Sequence, residues 1–339
     1  MSLWRKEDLP LIIPGERPAV IMLGNGINRA FNKHSWRELI EAALSRNHSS
    51  YTYSEISDLP ATMQIVAACG NGGVKHDVQD MASGFVKRLK EPLDAREHDM
   101  LNVLLSVPFD ALLTTNYTLE LEKAAEGIEN LYQFRSRQRL TKTVSPAEKD
   151  SRLFQFTKLS IPEGTRRIWH IHGDISTPNS IVIGHYYYGK LQTRMYEHIR
   201  NLCRTFRIAQ SQGKPYAPVS WIDYFMLGDV YAFGIGMDFA EQDLWWLLAC
   251  KQLEFSDTTL YFYEPERYIH GPVKKMLSAY GAIPRTDIPR KGDRDEDYRE
   301  YYEKVIEDLR NHLTVSPAGT APAAVQSAES QKSSGNKQT

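Results

Sequence analysis

The segment from Ala19 to Leu23 restricts the possible folds more than any other part of the sequence. All five of its residues are apolar, and the turn Gly24-Asn25-Gly26 follows immediately. A short apolar run that ends in a turn is typical of a parallel strand covered on both faces. The other runs of strand character are Asp110–Thr115, Arg167–Ile171, Ser180–Ile183, Asp229–Phe233 and Thr258–Tyr263.

Helical patterns lie between these strands. Ser35-Trp36-Arg37-Glu38 is typical of a capping box and predicts a helix from Trp36 to Leu44. Strands that alternate with helices predict an α/β fold with a doubly wound, Rossmann-like parallel sheet. Two intervals, Leu131–Gly164 and Tyr186–Ser220, interrupt the alternation and predict an inserted, mainly helical lobe. The other predicted helices are Ala61–Cys69, Val74–Leu89, Arg96–Val107 and Tyr298–Leu313.

The domain organisation follows from where these patterns stop. The chain has 339 residues, of which 42% are hydrophobic, so it can bury a large core. We expect residues 1–313 to form one domain that carries both insertions. From Ser316 to Thr339 the chain is rich in Ala, Ser, Gly and Gln without an apolar period, which predicts a disordered tail.

Composition limits the partners. The 41 basic and 42 acidic residues leave a formal charge of −1, so no overall basic footprint for nucleic acid is present. No apolar stretch reaches the roughly 20 residues of a membrane span, which predicts that the protein has no membrane partner. The three cysteines, Cys69, Cys203 and Cys250, form neither a disulfide framework nor a C-x-x-C zinc pair. These features predict a cytoplasmic protein.

The first candidate site is the turn after the first strand, where Gly24-Asn25-Gly26 continues into Ile27-Asn28-Arg29. Glycines in such a loop let a backbone approach a pyrophosphate, and the next helix offers free N–H groups. A plain strand-to-helix turn is the alternative. A third glycine and an acid about 20 residues later are missing, and this disfavours a hydride-transferring dehydrogenase.

Polar residues also end two other strands. Thr115 and Asn116 follow an apolar run, where the alternative to a ligand contact is a satisfied turn or helix cap. His170 and His172 lie on the same side of the next strand, because side chains alternate along a strand. A metal pair is one interpretation, but no nearby Cys or third His supports it. We expect His172, beside Gly173, to face a ligand and His170 to be a core histidine.

The last candidate turn is Gly234-Ile235-Gly236, at the end of the strand Asp229–Phe233. Asp243 follows it at the start of a predicted helix. An acid at this position complements the helix dipole, and a contact to a ribose hydroxyl is the alternative role. In an open parallel sheet, ligands bind beyond the carboxyl ends of the strands, so all these turns are expected to meet at one edge.

In this order, the four motifs resemble the sirtuin superfamily. Within it they are most similar to the bacterial antiphage sirtuin-like NAD hydrolases, such as the sirtuin-like subunit of Thoeris systems. The motifs are Gly24–Gly26, Thr114–Asn116, His172-Gly173 and Gly234–Gly236, and the resemblance extends from about Val20 to Pro265.

Two departures from the family pattern bear on the reaction. The two C-x-x-C pairs that hold zinc in sirtuin deacetylases are missing, so no metal is expected. Thr118 stands where many sirtuins have an aspartate that contacts nicotinamide. Both departures disfavour a protein deacetylase.

The resemblance implies that NAD is the substrate and that it is hydrolysed to nicotinamide and ADP-ribose. Asn116 would orient the water or the ribose hydroxyls, and His172 would take a proton. NAD depletion would be triggered in phage defence, under the control of homo-oligomerisation or of a separate defence protein such as an ATPase or nuclease. The alternative is a non-catalytic NAD or ADP-ribose sensor or scaffold. The residues expected to contact NAD are Gly24, Asn25, Gly26, Asn28, Thr115, Gly234, Gly236 and Asp243.

Overall fold

The protein has an α/β fold built on a seven-stranded, mostly parallel sheet. The computed structural model describes residues 9–31, 36–46, 49–68, 93–125, 151–177, 180–237 and 241–315. The strand order is β3-β4-β2-β1-β5-β6-β7, and only β3 is antiparallel to its neighbour. The strands are β1 Ala19–Leu23, β2 Ala111–Thr114, β3 Thr157–Ile161, β4 Gly164–His170, β5 Asp229–Phe233, β6 Leu260–Tyr263 and β7 Ala282–Arg285.

Helices cover both faces of the sheet, which is why the central strand β1 is apolar at every position. A 3₁₀ segment, Asn25–Phe31, follows β1 directly. The α-helices are α1 Trp36–Arg46, α2 Tyr53–Ile56, α3 Ala61–Ala68, α4 Ala95–Ser106, α5 Glu120–Ala124, α6 Ser151–Phe154, α7 His185–Ser211, α8 Trp221–Leu227, α9 Gln242–Glu254, α10 Gly271–Ala279 and α11 Asp295–Val315.

Local chemistry sets several helix ends. Asp94 begins α4 as its N-cap, because its side chain accepts a hydrogen bond from the Glu97 N–H at 2.8 Å. Ser220 caps α8 in the same way. The buried Lys251 of α9 donates to the carbonyl oxygens of Phe225 at 2.7 Å and Gly228 at 2.8 Å. This contact satisfies carbonyls at the end of α8 and holds β5 in place.

Among the described residues, three hydrophobic clusters make up the core. One lies between the sheet and helices α7, α8 and α9, and a second lies on the opposite face under α4 and α11. The third joins helices α1 to α3 with residues that follow β4, including Ile175, Ile181 and Ile183. This third cluster places a small group of helices beside the carboxyl ends of the strands.

The predicted parallel sheet is confirmed, and its details differ in three places. Ser180–Ile183, predicted as a strand, is an irregular segment whose Val182 N–H donates to the His172 carbonyl at 2.8 Å. The interval Leu131–Gly164 contains the strand β3 in its described part rather than helix alone. The second interval is helical as expected, but α7 packs on the main core through Leu191 and Met195.

The strand β7 and the helices α8 and α10 were not predicted. The proline in Ala282–Arg285 argues against a strand in the sequence. The predicted helix Val74–Leu89, the residue Ser35 of the capping box and the tail from Ser316 lie outside the described residues. Among the described helices, none is long and apolar enough to span a membrane.

Candidate functional site

Four neighbouring strands bring the predicted motifs to one edge of the sheet. In the order β4-β2-β1-β5 all four strands are parallel, so their carboxyl ends meet. His170 ends β4, Asn116 follows β2, Gly24 follows β1 and Gly234 follows β5. The strand order reverses at β1, since β2 lies on one side of it and β5 on the other. Such a switch point is the usual ligand crevice of an open α/β sheet.

The two glycine turns pack directly against each other. The Gly26 N–H donates to the Gly234 carbonyl at 2.7 Å, and a Cβ added at Gly26 would lie 2.7 Å from the Gly234 Cα. A Cβ added at Gly24 would lie 2.3 Å from the Gly234 carbonyl oxygen. Gly234 itself has a φ of +70°, a conformation that favours glycine. Backbone packing therefore explains these glycines without a ligand, and the Gly26 N–H is already used.

Asn25 and Asn28 interact within the 3₁₀ segment. The Asn28 Nδ2 donates to the Asn25 Oδ1 at 2.7 Å, and Asn28 is buried. This contact stabilises the turn after β1. Gly236, by contrast, is exposed, and a Cβ added there would meet nothing within 4 Å.

Hydrogen bonds fix the backbone of Asn116, while its side-chain Oδ1 has no partner among the described residues. Its N–H donates to the Thr114 Oγ1 at 3.1 Å, and its carbonyl faces the His170 Nδ1 at 2.7 Å. The side-chain Nδ2 lies 3.5 Å from the Gly24 carbonyl. The residue is buried, and its Oδ1 has no hydrogen-bond partner in the part of the chain that the structure describes. A buried acceptor without a donor is costly, so this oxygen is suited to a ligand or water.

His172 forms a buried pair with Asp243. The His172 Nε2 lies 2.8 Å from the Asp243 Oδ2, and both side chains are almost fully buried. Burial lowers the pKa of His172, but the charge and hydrogen bond of Asp243 outweigh it and raise this pKa above its ordinary value of 6.5. A carboxylate on Nε2 favours the tautomer with its proton there, leaving Nδ1 as the basic atom. The Asp243 Oδ1 has no hydrogen-bond partner among the described residues.

His170 forms a second buried pair, with Glu122 of α5. The His170 Nε2 lies 2.9 Å from the Glu122 Oε1, and its Nδ1 faces the Asn116 carbonyl. Burial lowers the pKa of His170, but the charge and hydrogen bond of Glu122 raise it more, to about 9. Both ring nitrogens of His170 are therefore engaged within the protein.

Two tyrosines line the site beside His172. The Tyr188 ring of α7 lies edge-on to the His172 ring, with the centroids 5.1 Å apart. Tyr117 donates its hydroxyl to the Val182 carbonyl at 2.8 Å. Burial is the main cause that raises the pKa of Tyr188 well above its ordinary value, so the phenol stays neutral at physiological pH. Tyr188 therefore supplies an apolar wall and a neutral hydroxyl.

The structure thus joins some of the predicted site residues and not others. His172 and Asp243 form one hydrogen-bonded pair, and Asn116 lies just after the end of β2, the strand beside β4, with its Nδ2 3.5 Å from the Gly24 carbonyl. The N–H of Thr115 donates to the Leu23 carbonyl at 3.1 Å and thereby links β2 to β1. Glu122 and Tyr188 were not predicted. The one available signal for Glu122 was an acidic residue inside the short amphipathic segment after Asn116.

The described residues contain no group of three or more His, Cys, Asp or Glu side chains that could hold a metal ion. The histidines of the site are instead paired with one carboxylate each.

Comparison with known proteins gives one family match. Residues 110–212 match the family model described as SIR2-like domain, which supports a sirtuin-like family. The match extends from β2 to the end of α7, so it includes Asn116, His170 and His172 but not Gly24, Gly234 or Asp243. A search of curated proteins gives no match.

Proposed function

We propose that the protein hydrolyses NAD to nicotinamide and ADP-ribose at the cluster of Asn116, His172 and Asp243. The observation that carries this proposal is that two buried acceptor oxygens, Asn116 Oδ1 and Asp243 Oδ1, have no hydrogen-bond partner among the described residues, while Asp243 Oδ2 is hydrogen-bonded to His172. Support for NAD as the ligand comes from the family match, because SIR2-like domains use NAD.

The reaction needs few groups. Nicotinamide leaves the ribose as a neutral molecule, so the step needs no general acid. The transition state resembles an oxocarbenium ion, as in other glycoside cleavages, and one water must reach it. Acceptor oxygens close to the ribose stabilise the developing positive charge and bind hydroxyl hydrogens.

In the proposed reaction, each residue of the cluster has a separate role. Asn116 offers its Oδ1 to the attacking water or a ribose hydroxyl, and Asp243 offers its Oδ1 to a ribose hydroxyl. The Asp243 Oδ2 fixes the tautomer of His172, whose Nδ1 takes the proton of the water. Asp243 therefore combines the predicted ribose contact with a positioning role for His172.

The glycine turns contribute mainly through shape. The contacts among Gly24, Gly26 and Gly234 bring two chain segments close together at the switch point. This leaves exposed Gly236, together with Asn25 and Thr115, to approach the dinucleotide. We propose that residues 1–313 form the domain that binds NAD and that the tail from Ser316 is dispensable.

The biological role that we propose is phage defence by depletion of cytoplasmic NAD. An unregulated NAD hydrolase would kill its host, so the activity must be silent until infection. The near-complete burial of His172 and Asp243 fits a resting state. We propose that self-assembly or a separate defence protein, such as an ATPase or nuclease, opens the site.

The test is the release of nicotinamide and ADP-ribose from NAD by purified protein, with and without its genomic neighbours, measured by chromatography. Equal amounts of both products support the proposal. Binding of NAD by calorimetry without nicotinamide release from the activated protein would instead establish a sensor. Loss of cellular NAD on phage infection, absent in the His172→Ala variant, tests the defence role.

A further inference from the structure

We infer that His170 and Glu122 form a positioning pair that fixes Asn116 for catalysis and that His170 takes no proton from the substrate or water. The inference rests on the proposed NAD hydrolysis and assigns a second, different task to the second histidine.

The Nδ1 of His170 must carry a proton in every protonation state. Its partner at 2.7 Å is the carbonyl oxygen of Asn116, and a carbonyl only accepts hydrogen bonds. The Nε2 lies 2.9 Å from the Glu122 Oε1, with 6% of the His170 side chain and 1% of the Glu122 side chain exposed. Whether the proton between Nε2 and Oε1 lies on the ring or on the carboxyl, the Nε2 lone pair is not open to a water molecule.

The His170 ring also fixes the backbone of Asn116, and this backbone determines where the Asn116 side chain lies. The Asn116 N–H donates to the Thr114 Oγ1, and the Asn116 carbonyl accepts from His170, so both sides of the residue are fixed. The next carbonyl, of Tyr117, accepts from the Ile175 N–H at 2.8 Å. These anchors set the direction of the Asn116 Cα–Cβ bond and therefore the place of its unpartnered Oδ1.

The charge around the ring agrees with this role. The pKa of His170 is raised to about 9 because Glu122, and more weakly Asp174, outweigh the effect of burial. His170 is therefore an imidazolium at neutral pH, a strong donor to the Asn116 carbonyl and a poor base.

The test compares two replacements of His170. His170→Leu removes the donor, and we expect a roughly 10- to 100-fold lower kcat, as for small displacements of a catalytic group. The affinity for NAD and the pH at which kcat/KM rises should stay unchanged. His170→Asn places an amide N–H near the position of Nδ1, so its kcat should stay within about threefold of wild type if one hydrogen bond suffices. Thermal unfolding checks that each variant folds.

The Glu122→Gln variant keeps the His170 ring and a hydrogen-bonding group beside its Nε2, but removes the negative charge of Glu122. Its amide can donate to Nε2 while Nδ1 still donates to Asn116, so kcat should again stay within about threefold. If His170→Leu does not fold, ¹⁵N NMR of the His170 ring in the wild-type protein decides the question. A wild-type kcat in folded His170→Leu, a shifted pH profile in that variant, or a 100-fold loss in Glu122→Gln would each overturn the inference.

An NMR measurement that does not depend on NAD cleavage tests this inference independently of the proposed function. In wild-type protein at pH 7.5, ¹⁵N NMR of the His170 ring should show protons on both nitrogens, and the Asn116 carbonyl ¹³C shift should change in His170→Leu. An unprotonated Nδ1 would overturn the inference even if NAD is cleaved. If NAD is not cleaved but both signals are as expected, the proposed function fails and the contact between His170 and Asn116 stands.

Discussion

The glycine turns and the polar cluster lie at the same edge of the sheet, yet they differ in what explains their residues. Gly24, Gly26 and Gly234 are required by the close approach of two backbone segments. Asn116 and Asp243 instead keep buried oxygens that no described residue of the protein satisfies. Packing accounts for the first region and leaves the second unexplained.

This difference shows which part of a motif indicates a ligand. A glycine turn after a strand is found wherever two chain segments must come close, so it is weak evidence for a dinucleotide. A buried polar oxygen without a donor costs about 1–3 kcal/mol. Thr62 Oγ1 and the Tyr301 hydroxyl are also buried without a described partner, so the position of Asn116 and Asp243 at the carboxyl edge of the sheet is what distinguishes their oxygens. The strongest indication of function is therefore in the polar cluster.

The largest expected effect is that of His172→Ala. Removal of a general base lowers turnover by about 10² to 10⁴-fold, while NAD binding should change by less than about threefold. Nicotinamide release and calorimetry on the same preparation measure both. His270→Ala, at an exposed histidine far along the chain, is the matched control and should behave as wild type. Equal loss of binding and turnover would show that His172 serves binding.

Asn116→Ala should lower turnover by about 100-fold, because one oriented hydrogen-bonding group is lost from the transition state. The folded protein should tolerate the change, since the Asn116 Oδ1 has no partner among the described residues. Steady-state kinetics with activated protein and NAD calorimetry give the result. Asn201→Ala, on the exposed surface of α7, serves as the control. Unchanged turnover would place Asn116 outside the reaction.

Asp243→Asn should lower turnover by roughly 10- to 100-fold and also shift its pH dependence. In the wild type, Asp243 raises the pKa of His172, so kcat/KM rises with pH through a value above 6.5. Without the charge, burial dominates and lowers this pKa, so the rise moves to lower pH. A kcat/KM profile from pH 5 to 9 measures the shift. An unmoved or more alkaline rise would contradict the pairing, and Asp58→Asn, at an exposed site, is the control.

The variants Gly26→Ala and Gly236→Ala distinguish a glycine that packing requires from a glycine that packing does not require. The added methyl at Gly26 would overlap the Gly234 backbone, so we expect a loss of about 1–3 kcal/mol in the free energy of unfolding. At Gly236 nothing lies within 4 Å, and the stability should change by less than about 0.5 kcal/mol. Denaturant unfolding measures both. A stable Gly26→Ala would show that packing does not require this glycine, whereas weaker NAD binding by Gly236→Ala would place that turn at the ligand.

The sequence predicted the central strands and their common edge, because uninterrupted apolar runs ending in turns are a local signal. It also indicated Asn116, His172 and Asp243 as candidate site residues, and their roles stay predictions. It did not show that His172 pairs with Asp243, since 71 positions separate them and no periodicity connects them. Glu122 was missed for a similar reason, because its burial depends on the position of α5 above β4.

For the segment Ser180–Ile183, the sequence predicted burial correctly but secondary structure wrongly. Ile181 and Ile183 are buried against α1 to α3, and Val182 is buried in the cluster that contains α7, α8 and α9. Hydrophobicity was therefore a correct signal of burial and a wrong signal of a strand. Short apolar runs do not distinguish these two environments.

The most direct test of the central claim is NAD cleavage by the activated wild-type protein in water enriched in ¹⁸O. We expect equal amounts of nicotinamide and ADP-ribose, with one ¹⁸O atom in each ADP-ribose, and at least about 100-fold less of both products from His172→Ala within the same time. Tight NAD binding without nicotinamide release, or nicotinamide release without ¹⁸O in the other product, would contradict hydrolysis at this site.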